Sequence, residues 1–324
     1  MKILVTGATG FTGGHLARHL AMRGDSVRAL VRDPSRAADL AAAGVQVVAG
    51  DLSRRDTIAS AVAGVDVVYN IAALYRHAGL PEATYRTVNA EAVGWLVEAA
   101  SKAGVPRVVH CSTVGVHGDI AHPPANEDAP LGPGDTYQVT KLEGERLAQA
   151  AAVGTELVIV RPSGIYGPGD RRLLKLFRGV ARRRFVILGD GKIFYHLTHI
   201  DDLVEGFRLA GTVPAAAGRT YILAGGEVTT LNELVAIIAG EAGVRPLSVH
   251  LPVWPFWVAG AACEAFCAPL GLEPPLYRRR VDFFTKSRAF DISRARRELG
   301  FAPQVDLRTG TRRTLAWYRE QGWL

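Results

Sequence analysis

The chain has 324 residues, 48% hydrophobic and 21% charged, a composition that excludes a disordered or fibrous chain and suits one large α/β domain or one with a smaller lobe. The net charge is +7, but the two arginine triplets, at 182–184 and 278–280, sit in no nucleic-acid module and lack interleaved aromatics, so no nucleic-acid partner is expected. Three cysteines (Cys111, Cys263, Cys267) form neither a four-ligand zinc set nor a disulfide framework, and the chain opens directly on a strand with no visible signal peptide; no metal and a cytoplasmic setting are expected.

Residues 2–6 are an apolar run that breaks into three glycines spaced three apart, Gly7, Gly10 and Gly13, with Thr9, Phe11 and Thr12 between them. An amphipathic stretch over 14–23 follows. Strand, glycine turn and helix start in that order make a site for a dinucleotide pyrophosphate. Gly7 permits the sharp turn, Gly10 leaves space for the phosphates and Gly13 lets helix and strand pack closely, while the helix start offers free N–H groups to an anion.

Further strands are predicted over 26–31, 45–49, 65–70, 107–112 and 156–161, with helices over 56–63, 85–103 and 137–153. Apolar strands alternating with helices imply an α/β fold, a doubly wound parallel sheet covered on both faces. A strand over 220–224 joins the sheet edge, and a helix over 231–242 follows with Thr230 as its N-cap. The nearly uncharged segment 251–272 has Glu264 as its only ionisable side chain and holds Trp254, Phe256, Trp257 and Phe266. Pro252, Pro255 and Pro269 interrupt it, so it is expected to be a buried or substrate-covering helix, ahead of a peripheral membrane contact and of a true span.

Tyr137 and Lys141 lie four residues apart, one turn along one helix face. A phenol titrates near ~10, and a fixed cation brings its proton transfer closer to working pH, which suits acid–base chemistry at a carbinol or carbonyl. The strand over 107–112 runs into two hydroxyls, Thr113 being the first choice and Ser112 the second for holding a substrate oxygen at the carboxyl end of the sheet. His196 and His199 have no partner cluster and are expected to be structural.

Together these motifs resemble the short-chain dehydrogenase/reductase superfamily, and Thr-Gly-x-x-Gly-x-x-Gly in a chain of this length resembles its extended branch. The resemblance covers essentially the whole chain and includes Gly50-Asp51-Leu52, Ala72-Ala73, Asn89 and Arg161-Pro162. It implies a Rossmann domain over 1–165, to which 196–224 return, and a smaller substrate-binding lobe from 166–195 and 225–324. It further implies a nicotinamide cofactor, with Asp51 and Leu52 near the adenine, Ala72, Ala73 and Asn89 along it, Lys141 on the ribose, and Pro162, Gly164 and Ile165 beside the nicotinamide. Ala92-Val93 departs from the Gly-Thr often found in the family.

The end of the 26–31 strand carries Val31 and Arg32 where an NAD-selective site commonly has a carboxylate; Arg32, with Arg36, favours the 2′-phosphate of NADP over NAD. Two substrate classes compete. Sugar-nucleotide epimerases and dehydratases usually have asparagine where this chain has Gly164, and an arginine where it has Tyr195. Members similar to 3β-hydroxysteroid dehydrogenases and dihydroflavonol reductases match better, so the expected reaction interconverts a secondary alcohol and a ketone on an apolar substrate. The alternatives are a nucleotide-sugar epimerase or dehydratase with tightly bound NAD, and a non-catalytic NADP-sensing protein. The family analogy adds a homodimer through the helices over 85–103 and 137–153.

Overall fold

Strand β1 (Lys2–Thr6) is buried from its second residue onward, as a run without polar alternation requires when both faces of a sheet are covered. It belongs to a seven-stranded, wholly parallel sheet. The other strands of that sheet are β2 (Ser26–Val31), β3 (Gln46–Ala49), β4 (Val67–Asn70), β5 (Arg107–Cys111), β6 (Glu156–Pro162) and β11 (Thr220–Leu223). The spatial order is β11-β6-β5-β4-β1-β2-β3, so the chain reverses direction across the sheet between β1 and β4, the crevice where such folds bind ligands. In this computed structural model residues 1–76, 79–267 and 278–324 are described, the side chains of 278–280 excepted.

The shorter strands β7 (Gly164–Tyr166), β8 (Ile187–Leu188), β9 (Phe194–Tyr195), β10 (Leu197–His199), β12 (Thr229–Thr230) and β13 (His250–Leu251) pair outside the main sheet. The helices are α1 (Phe11–Met22), α2 (Ala38–Ala42), α3 (Arg55–Val62), α4 (Glu82–Arg86), α5 (Ala92–Lys102), α6 (Thr136–Ala151) and α7 (Leu174–Ala181). They continue with α8 (Ile200–Thr212), α9 (Leu231–Ala242), α10 (Val253–Cys267), α11 (Arg278–Thr285), α12 (Ser293–Leu299) and α13 (Leu307–Glu320). One apolar cluster joins β1, α1 and α8 on one face, and a second joins α3, α5 and α6 on the other. A third gathers Phe177, Leu231, Leu315 and Tyr318 beneath the smaller strands.

Two expectations differ from the structure. The helix predicted over 85–103 is broken into α4, a π-turn over Thr87–Glu91, and α5. Asn89 causes the interruption to be useful: its buried side chain is turned inward, accepting from Leu74 N (2.8 Å) and donating to Leu74 O (3.0 Å) and Thr140 Oγ1 (3.3 Å). Gly144 of α6 packs directly on this turn; a Cβ there would stand 2.2 Å from Asn89 O. The described part of the segment 251–272 is largely not buried. In α10 Trp254 is 70% and Phe266 71% exposed, because apolar side chains surround the helix and only one side can meet the protein. Residues 268–272 lie outside the described residues, and among those described no helix is long and apolar enough to cross a membrane.

Candidate active site

The carboxyl end of β1 is built for a close approach. Gly7 has φ +68°, and a Cβ on it would lie 2.7 Å from Ala72 Cα. A Cβ on Gly13 would stand 2.3 Å from Gly7 O, so only glycine lets α1 start this near the turn. Gly10 caps α1 without any side-chain hydrogen bond, which leaves the first N–H groups of the helix available to an anion. Thr6 Oγ1 donates to Asn70 Oδ1 (2.8 Å) and accepts from Ile71 N (3.1 Å) and Ala72 N (3.2 Å), which locks the start of the 71–73 segment against the glycine turn.

A cleft of about 1040 Å³ opens from this turn toward the smaller lobe. Gly7, the loop 9–13, Arg32, Arg36, Asp51, Leu52, Ala72, Ala73, Tyr137, Lys141, Pro162, Gly164 and Ile165 all line it. Asn89 does not; its side chain is closed on Leu74 and Thr140, so it positions the wall rather than facing the cleft. Asp33 is committed to capping the turn after β2, where its Oδ1 accepts from Ser35 N and Oγ. Arg32 and Arg36 are exposed at the cleft. The glycine cradle, the uncapped helix start and these cations fit a nicotinamide dinucleotide.

Tyr137 and Lys141 project from the first turns of α6, whose N-cap Asp135 accepts from Gln138 N (3.0 Å). Lys141 is 1% exposed and its Nζ donates to Cys111 O (2.6 Å) at the end of β5. Burial holds its pKa below the usual lysine value. The Tyr137 ring meets Tyr75 edge-on at 5.0 Å. The Arg76 guanidinium lies 5.6 Å from the Tyr137 ring centre and is held by Asp135 Oδ2 (2.7 Å) and Tyr75 Oη (3.0 Å). Burial pushes the Tyr137 phenol well above its ordinary value, and Arg76 and Arg172 oppose that shift. Arg76 and Arg172 thus stand near the phenol as cations, and the Lys141 ammonium spends one of its three donors on a backbone carbonyl.

Thr113 and Ser112 follow β5 and both line the cleft. Thr113 Oγ1 accepts from Gly115 N (3.0 Å), so its own O–H remains available to donate. Ser112 Oγ is buried without a hydrogen-bond partner. Behind them His110 is buried on β5 and accepts at Nδ1 from Asn70 Nδ2 (3.2 Å); burial drives its pKa far down, which keeps the imidazole neutral.

On the lobe side the cleft is walled by Tyr195, Leu197, Phe283 and Phe290. Trp254 and Phe256 take no part in it. Tyr195 donates its hydroxyl to Phe283 O. A Cβ on Gly164 would stand 2.7 Å from Leu197 Cδ2, so Leu197 occupies the space a larger residue at 164 would need. His196 bonds Gly225 O and accepts from Phe290 N, and His199 caps α8 through Asp201 N. Among the described residues no group of three metal-ligating side chains occurs. Sequence reasoning missed Tyr75, Arg76, Phe283 and Arg288. Tyr75-Arg76 follows Ala72-Ala73 so closely that the run itself was a usable signal; Phe283 and Arg288 arrive from a segment with no local mark.

The model of the NAD-dependent epimerase/dehydratase family matches residues 3–224. The chain belongs to this family. It is an NAD-dependent epimerase/dehydratase-family enzyme of the extended short-chain dehydrogenase/reductase type. A 2-alkyl-3-oxoalkanoate reductase of Stenotrophomonas maltophilia (strain K279a) is 32% identical over 98% of this chain and 99% of its own. A 3-beta-hydroxysteroid dehydrogenase of Mycolicibacterium neoaurum is 30% identical over 98% of this chain and 92% of its own. Among solved structures, MoeE5 in complex with UDP-glucose and NAD superposes with a TM-score of 0.76 at 28% identity, covering 99% of each chain. Family members thus include both oxidoreductases and proteins that hold sugar nucleotides, and the residues of the lobe have to separate the two.

Proposed function

We propose that this protein interconverts a secondary alcohol and a ketone on an apolar substrate with NADP(H). The observation that carries the reading is the meeting of Tyr137, Lys141 and Thr113 in one cleft whose far wall is mostly aromatic and aliphatic, with His196 and Arg288 as its polar members. The reductase and hydroxysteroid dehydrogenase among its relatives support the same reaction class. Leu197 filling the space beside Gly164, and a buried Tyr195 whose hydroxyl is committed to Phe283 O, argue against a sugar-diphosphate cradle.

The glycine turn with Pro162, Gly164 and Ile165 would hold a nicotinamide dinucleotide, which would supply the hydride acceptor or donor. Tyr137 Oη takes the hydroxyl proton in oxidation and gives it back in reduction. Thr113 donates to the reacting oxygen and fixes it against the phenol. Arg76 and Arg172 make the buried phenol easier to ionise. Lys141, whose Nζ donates to Cys111 O, would bond the cofactor ribose with a remaining donor. Arg32 and Arg36, which line the cleft, would pair with the 2′-phosphate, while Asp33 is held by Ser35.

Initial rates with NADPH and NADH, on a panel of long-chain and polycyclic ketones and on UDP-glucose, test this reading. Reduction of apolar ketones with a preference for NADPH is expected. Turnover of the sugar nucleotide alone, or tighter binding of NAD, contradicts it.

Two further parts of the reading concern partners. A groove beside α5 and α6, with Trp95, Leu147 and Val153 at its edge, supports a homodimer; light scattering that gives one chain per particle contradicts it. The exposed Trp254, Trp257 and Phe266 of α10 support a peripheral membrane contact; failure to float with liposomes contradicts that.

A further inference from the structure

The cleft's cations are not equivalent. Arg32 and Arg36 stand at the end of β2, at the glycine-turn side. Arg76 is paired with Asp135 at 2.7 Å and Arg172 with Asp170 at 2.9 Å. Lys141 is bonded to Cys111 O. Arg288, on the lobe side, donates from Nη1 to Lys286 O (3.1 Å) and from Nη2 to Asp282 O (3.3 Å), and its guanidinium also acts on the Tyr195 side chain. Among the described residues no carboxylate pairs with it, although Asp282 is close enough in sequence to do so; the Asp282 carboxylate is taken by Lys286 instead, at 3.3 Å.

Arg288 is also positioned rather than loose. Its main-chain N–H bonds Phe194 O (2.8 Å), which ties the segment after α11 to β9, and its guanidinium lies 5.7 Å from the Tyr195 ring centre. Around it the cleft wall is Tyr195, His196, Leu197, Phe283 and Phe290. A guanidinium is never neutral in a protein, and its fork matches a carboxylate with two parallel bonds. A guanidinium with no carboxylate partner among the described residues, on a wall made largely of apolar and aromatic side chains, suits a ligand with one anionic group and a hydrocarbon body. A diphosphate, with more charge than one fork meets, fits this wall less well.

We propose that Arg288 binds the carboxylate of an otherwise apolar substrate, so that the preferred substrates are oxo acids or hydroxy acids with long hydrocarbon chains. The proposal rests on the reading of the cleft as the site of an alcohol–ketone reaction.

The test uses matched probes on the full chain: long-chain oxo acids, with the ketone at varied distance from the carboxyl, and their methyl esters, each reduced with NADPH. For the best acid, kcat/KM is expected to exceed that of its ester by about 10-fold or more, the scale of a charge-assisted pair. Arg288→Gln should lower kcat/KM for the acid at least about 10-fold more than for the ester, chiefly through KM, and Arg288→Lys should keep part of the preference. The ester rate reports whether each variant is folded. Equal or better use of the ester by the unaltered protein, or equal losses on both probes in Arg288→Gln, overturns the proposal. If neither probe is turned over, the reading of the reaction fails instead; calorimetric binding of a long-chain fatty acid, weakened by Arg288→Gln or not, then decides the role of Arg288 separately.

Discussion

Thr113 accepts one bond from its own turn and keeps a proton to donate, and that asymmetry distinguishes it from its neighbour. Ser112 also lines the cleft, but its Oγ is buried with no hydrogen-bond partner to fix its rotor. Thr113→Val should therefore reduce kcat about 100-fold, the scale of losing one donor to a reacting oxygen, while Ser112→Ala costs far less; steady-state rates on one ketone rank the two. Tyr137, Lys141 and the glycines were legible in the sequence because each motif is local: four residues on a helix, or three glycines in one turn. Arg76 and Arg288 were not, since an arginine's role depends on which carboxylates reach it. The pairing of Arg76 with Asp135 joins two segments 59 positions apart, and no spacing rule announces that.

The element that decides the geometry is α6. It carries Tyr137 and Lys141, and it is fixed to β6 by a buried ion pair: Arg161 Nε and Nη2 donate to Glu145 Oε1 (3.0 Å) and Oε2 (2.6 Å). Arg161 Nη1 is satisfied in turn by Glu127 O and His117 Nε2, at 3.2 Å each. Removing one partner strands a buried charge, so Arg161→Met should destabilise the fold by about 3–5 kcal/mol. The double variant Arg161→Met with Glu145→Leu should recover much of that loss; urea unfolding midpoints of the two proteins measure it, and equal midpoints contradict the account. On its other side α6 leans on the π-turn at 87–91 through Gly144. That turn is the clearest case of structure hidden from the sequence. Periodicity carries helix over 85–103 without a break, whereas the side chain of Asn89 satisfies the backbone of Leu74 across a gap of 15 residues.

At the scale of the whole molecule, buried imidazoles set the response to acid. Burial lowers the pKa of His15, His110, His117, His196 and His199 below the ordinary 6.5, with His199 brought to about 4. The unfolded chain takes up protons at these sites that the fold refuses, so their contribution is fully present above about pH 6.5 and is lost as pH falls toward the folded values. Each such group contributes up to about 1.4 kcal/mol per pH unit within its window. Glu127 and Asp202, raised by burial, act in the opposite sense, but they are two against five. Melting temperature should therefore decline steadily between about pH 6.5 and 4.5; a flat or rising profile there contradicts the burial of these rings. The doubly wound parallel sheet was legible from apolar runs alternating with helices, with the 220–224 strand at its edge. The exposure of α10 was not: its residues are apolar on every side, and composition alone cannot say which side meets protein.

The central claim is that the Tyr137 hydroxyl carries the proton at the reacting oxygen. Stopped-flow measurement of NADPH oxidation by a ketone, with unaltered protein and with Tyr137→Phe, tests it most directly. The account expects at least an approximately 100-fold slower hydride step in the variant, with NADPH affinity retained in a fluorescence titration. Near-full activity in Tyr137→Phe would remove the phenol from the reaction.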